Sequence, residues 1–80
     1  MAENVLFKDS YHKFGWVLNV VKNNEIVITT SLYNDFDKIV ETKSFRTTQP
    51  EDLKALKEYI ELFLDNPKKN LRKIQSIRSN

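Results

Sequence analysis

Asp9, Ser10 and His12 stand close enough in the chain to suggest an acid, a hydroxyl and a base acting together. The segment alternates like a strand, however, and on a strand Ser10 and His12 point one way while Asp9 points the other. A surface histidine in a polar strand is the better reading. Asn34, Asp35 and Asp37 resemble the start of a calcium loop, but the glycine and distal glutamate that such a loop needs are missing. They read as turn residues. Gly15 is the only glycine, which leaves no phosphate-cradling loop. Cysteine is absent and His12 is the only histidine, which removes thiolate nucleophiles, disulfides and histidine–cysteine zinc sites together. The residues therefore point to a binding protein that is not an enzyme and takes no metal or cofactor.

The more informative pattern mixes bases with aromatics. Lys8, Tyr11, Lys13, Phe14 and Trp16 cluster in the first strands, and Lys38, Lys43 and Arg46 fall in the fourth. Sheets that hold single-stranded nucleic acid stack bases on exposed aromatics and follow phosphates with Lys and Arg, each stacked base contributing about 1–3 kcal/mol. The competing reading puts Phe14 and Trp16 in the core and leaves the lysines as solubilising charges. Nine aromatics in 80 residues are many for so small a core, so some belong at the surface or in an interface.

The elements that must position these residues follow from periodicity. Val5 and Phe7 alternate with polar neighbours. Trp16, Leu18 and Val20 share one face of a period-two segment, with Val17, Asn19 and Val21 on the other. Asn23-Asn24 signals a tight turn. Glu25 to Leu32 is β-branched, Tyr33 to Asp37 forms a loop, and Lys38 to Thr47 alternates again. Thr48-Gln49-Pro50-Glu51 reads as a capping box with Thr48 as N-cap. Leu53, Leu56, Ile60, Phe63 and Leu64 then recur at helical spacing, opposite Lys54, Lys57, Glu58 and Glu61, until Asn66-Pro67 stops the helix. Leu71, Ile74 and Ile77 hint at a short second helix. The expected fold is α+β: a four-stranded antiparallel meander followed by one C-terminal amphipathic helix, with residues 1–66 as the domain and 67–80 as a basic tail.

Residues 1–66 carry eight Lys/Arg against all eleven Asp/Glu, whereas 67–80 carry Lys68, Lys69, Arg72, Lys73 and Arg78 with no acid. A cationic tail on a mildly acidic body suggests a polyanionic partner, against the plain alternative of a solvated terminus. A chain of this size without disulfides or metal is expected to gain stability from a partner subunit. No apolar run reaches the ~20 residues of a membrane span. Met-Ala-Glu-Asn lacks the features of a secretion signal, so a cytoplasmic location is expected, that of a host cell if the source is viral.

The run from Glu25 to Tyr33, a polar loop, a strand carrying Lys43 and Arg46, and Gln49-Pro50-Glu51-Asp52-Leu53 opening a helix resemble the single-stranded-DNA-binding domain of the positive cofactor four family. The likeness covers roughly residues 5–66. The family's basic pair is flanked by glycine, which is lacking here, and the aromatic at the family's first core position of the helix is replaced here by Leu53. The resemblance implies a homodimer with Leu53, Leu56, Ile60, Phe63 and Leu64 at a helix–helix seam. It also implies curved sheets that hold single strands: Lys43 and Arg46 on phosphates, Tyr33 stacking a base, Lys13, Phe14 and Trp16 along the groove. Partners would be single-stranded DNA or RNA, and proteins of replication, recombination or transcription, with no membrane. The rival expectation, from the acidic body, is a small protein-binding module such as a phage-type inhibitor of a host protein.

Overall fold

Period-two patterning becomes four strands: β1 Lys8–Lys13, β2 Trp16–Lys22, β3 Val27–Tyr33 and β4 Ile39–Arg46. They form one antiparallel sheet in the order β1-β2-β3-β4. Two helices follow, α1 Pro50–Asp65 and α2 Leu71–Ser76. The computed structural model describes residues 8–24 and 26–78. The expected alternation at Val5 and Phe7, and Glu25 of the expected third strand, lie outside them.

One face of the sheet is the core. Trp16, Leu18 and Val20 from β2 meet Ile28, Thr30 and Leu32 from β3 and Phe45 from β4, all buried. The register stacks Leu18 beside Leu32, Val20 beside Thr30 and Ile28 beside Phe45. Helix α1 covers this face with Leu56, Tyr59 and Phe63, and α2 adds Ile74. Each of these large apolar side chains contributes about 1.5–3 kcal/mol by leaving water. Val17, Asn19, Thr29, Ser31 and Tyr33 share the other face, and each remains partly exposed. A register shift at Leu32/Tyr33, where Leu32 pairs with Glu41 and Tyr33 with Ile39, leaves Val40 as an extra residue in β4.

The start of α1 differs from the capping box expected at Thr48. Gln49 is the N-cap, in extended conformation and without a side-chain capping bond, and Pro50 opens the helix. Asp52 takes over the role expected of Glu51. Its carboxylate reaches back beyond the cap and accepts the Arg46 backbone N–H at 2.8 Å, tying the first turn of α1 to the end of β4. The far end of α1 is closed at the expected place. The Leu62 carbonyl accepts the Asn66 N–H at 3.2 Å and the Asn70 side-chain amide at 3.0 Å. The Asn70 amide also reaches the Asp65 carboxylate at 3.0 Å. Pro67, Asn70 and Ile74 are buried, so the basic tail packs on the domain as far as α2.

A polar chain runs through the covered face. The Tyr59 hydroxyl donates to Glu41 Oε2 at 2.8 Å, and Glu41 Oε1 lies 3.6 Å from Lys43 Nζ. Lys43 Nζ in turn donates to the Ile77 carbonyl at 2.9 Å and reaches the Gln75 carbonyl at 3.5 Å. Phe45 packs edge-on to Tyr59, with ring centroids 6.2 Å apart. Burial raises the Tyr59 hydroxyl far above its usual value near 10, and the Glu41 carboxylate pushes it further, with Thr30 pulling weakly the other way. The unfolded tyrosine still ionises near 10, so the folded state loses stability as the pH rises above that value and keeps its full share below it. Urea denaturation between neutral pH and pH 11 should therefore show a steeper alkaline loss for the wild type than for Tyr59→Phe. Parallel curves would refute the raised value. Asp52→Ala should cost about 1–3 kcal/mol in the same measurement at neutral pH, because it strips the Arg46 N–H of its acceptor.

Candidate nucleic-acid interface

The residues expected to contact nucleic acid divide among three places. Trp16 is buried in the core, on the face that the helices cover. Lys43 lies on the same face, and its side chain is 11% exposed while engaged with Glu41 and the end of α2. Lys8 opens β1 opposite Val21, and Arg46 ends β4 opposite Val27 with its side chain exposed. The remaining four, Lys13, Phe14, Tyr33 and Lys38, fall at one end of the sheet. The sequence pattern merged these groups because a lysine at an alternating position looks the same whether a helix covers its face or leaves it open. Asp9 and His12 divide as their spacing implies, Asp9 pairing with Val20 on the core side and His12 with Val17 on the open side.

That end of the sheet is built by two turns in contact. Phe14 and Gly15 form the tight turn between β1 and β2, with φ of 53° and 83°. Residues 34–38 form the loop between β3 and β4. It is organised by Asn34, whose side-chain oxygen accepts the N–H groups of Phe36 at 2.9 Å and Lys38 at 3.0 Å. A Cβ on Gly15 would stand 3.2 Å from Asp35 Cβ, so the turns touch and the position needs glycine for space as well as for its backbone angle. Phe14 is 66% exposed, Phe36 76% and Ile39 57%. Lys13 Nζ sits 5.1 Å from the centre of the Phe14 ring. Phe36 and Ile39 fall outside the basic–aromatic strand pattern because one belongs to a loop and the other is aliphatic. Their apolar character next to a polar Asn-Asp turn was the available signal.

The uncompensated charge lies elsewhere. Lys68, Lys69, Arg72, Lys73 and Arg78 are all exposed, on and around α2. Lys68, Lys69, Arg72 and Lys73 line one open groove with Leu71, Gln75 and Ser76. Leu71, Ile74 and Ile77 turn inward against the core, which presents the cations outward on an ordered helix. That groove is lined by no acid, so its four cations form a concentrated positive surface, whereas Arg78 faces a second groove with Glu51, Asp52 and Glu58.

Comparison with known protein families, curated proteins and solved structures finds no match to this chain. The likeness to the positive cofactor four domain rests on residue order alone.

Gly15→Ala should lower stability by about 1–2 kcal/mol, since alanine at positive φ is strained and its methyl group meets Asp35. Phe14→Asn should hold or raise stability, because asparagine tolerates the left-handed region and the exposed ring adds little to the core. Thermal melts of the two variants check both signs, and a large loss for Phe14→Asn would show that the ring is needed for folding.

Proposed function

We propose that the chain binds single-stranded nucleic acid, DNA ahead of RNA, with the basic face around α2 as its phosphate-contacting surface. The observation that carries this reading is the array of four exposed cations, Lys68, Lys69, Arg72 and Lys73, in one groove lined by no acid. A polyanion displaces its counterions on such a surface, and affinity then falls with salt. On this reading the grip lies beside the sheet, since two of the expected sheet contacts, Lys43 and Trp16, are occupied on the covered face. Arg46 and Tyr33 remain as further contacts at the sheet. The preference for single strands follows the positive cofactor four likeness, as does the expected setting in replication, recombination or transcription. A homodimer belongs to the same reading. Its helix seam is thinner than the resemblance implies, since Leu56 and Phe63 are buried in the subunit's own core and only Leu53, Ile60 and Leu64 remain on the flank of α1.

A second reading, a protein-binding module of the inhibitor type, draws on the exposed apolar end of the sheet, where Phe14, Phe36 and Ile39 sit among charges of both signs.

A fluorescent oligo-dT titration over a range of salt concentrations tests the first reading. Four phosphate contacts to a single strand should give a log–log salt slope of about −3, and Arg72→Gln with Lys73→Gln should make it shallower by about 1.4. No binding at low salt sinks the proposal. Equal affinity for duplex of the same length removes the single-strand preference and leaves charge alone.

A further inference from the structure

We infer that the end of the sheet carrying Phe14, Phe36 and Ile39 is a self-association surface whose occupant is the same surface of a second copy. Three of the six large hydrophobic side chains exposed among the described residues lie there, and they are the three most exposed. The two turns that carry them are held together at Gly15 and Asp35, and the Asn34 side chain fixes the loop. The patch is therefore preformed. Phe14 adds a second observation. A bulky residue at φ 53° is strained, and its ring, 66% exposed, recovers little by burial within the subunit. The two-residue turn requires a positive φ here, which asparagine or glycine would supply at less cost, so a phenylalanine in its place points to a use for the ring outside the subunit.

Charge decides the occupant. Lys13 and Lys38 stand at this end with Asp35 and Asp37, two of each sign. A nucleic acid or an anionic membrane would meet two carboxylates beside the rings, which cancel the attraction of the two lysines. An apolar centre with a rim of balanced, mixed sign is complementary to itself. A two-fold axis can set each lysine of one copy against an aspartate of the other while the phenyl rings meet in the middle. The chain also has the need: 80 residues without cysteine leave a core that association would complete. This inference replaces the α1 seam of the homodimer in the nucleic-acid reading and leaves the basic face around α2 as it stands.

Sedimentation equilibrium of the full chain, freed of nucleic acid, tests it. The wild type should show twice the 9.5 kDa chain mass at high concentration. Phe14→Asn combined with Phe36→Ser should sediment as a monomer with an unchanged far-ultraviolet spectrum. Asparagine suits the backbone at position 14, so loss of the dimer cannot be ascribed to that turn unfolding. Single charge reversals make the test sharper. Asp35→Lys leaves a rim of three cations against one anion, and Lys38→Asp leaves the reverse. Each alone should be more than tenfold weaker in self-association, and an equimolar mixture of the two should recover a dimer. A wild type that stays monomeric at millimolar concentration overturns the inference. So does a dimer that survives the phenylalanine substitutions but is lost on Leu53→Glu with Leu64→Glu, which would assign the seam to α1. A monomeric wild type whose oligo-dT binding disappears with Phe14→Asn and Phe36→Ser would make nucleobases the occupant, and also overturns it.

Discussion

Lys43 is the interaction on which the outer parts of this fold depend. Helix α2 is six residues long, far too short to persist by itself in water. The Lys43 ammonium meets the carbonyls of Gln75 and Ile77 where α2 ends, supplying donors that the helix cannot provide internally. Lys43 is held in turn by Glu41, and Glu41 by the Tyr59 hydroxyl. One chain of charge-assisted contacts thus ties β4, α1 and α2 at a half-covered site, where water competes less than at the surface. Ile74 and Pro67 supply the apolar part of the same docking.

The consequence for function is indirect. The cations of α2 form a fixed face only because the inward side of α2 is pinned, apolar residues below and a lysine at its end. A basic residue that looks like a phosphate ligand is instead the support that presents four others. A fixed array loses less side-chain and backbone freedom on binding than a frayed tail with the same residues would. The opposite arrangement holds at the end of the sheet. There, Asn34 and the Gly15–Asp35 contact organise the turns, and the apolar side chains are left outward. The molecule therefore separates a charged surface from an apolar one, and two different kinds of partner can be addressed without competition.

Much of the scaffold is legible in the sequence itself. The alternation of Trp16, Leu18 and Val20 against Val17, Asn19 and Val21 survives as the two faces of β2, because a pleated strand has only two sides and apolar burial selects one. Asn66-Pro67 ends α1 where proline chemistry requires. The strand β4 was harder, since Glu41 and Lys43 occupy covered positions that a burial pattern assigns to apolar residues. Thr48 failed as a cap for a related reason: Asp52 found a better use for the first turn by bonding the Arg46 amide, a contact across the β4–α1 connection that a local motif does not contain.

Composition and periodicity alone determined that the chain is an α+β sheet-and-helix domain, with five of its thirteen cations and none of its acids in the last fourteen residues, and no cysteine to staple it. Those properties depend on residue type and on distances of a few positions, which the sequence states directly. Only the tertiary structure decided which side of the sheet the helices cover, and with it the fate of each candidate. Trp16 and Lys43 went under the helices, Leu56 and Phe63 turned into the subunit's own core, and Phe14 and Phe36 came out side by side on neighbouring turns. The reason is physical: burial depends on which surfaces meet across a long range in the chain, and a lysine or an aromatic carries no mark of its future neighbour.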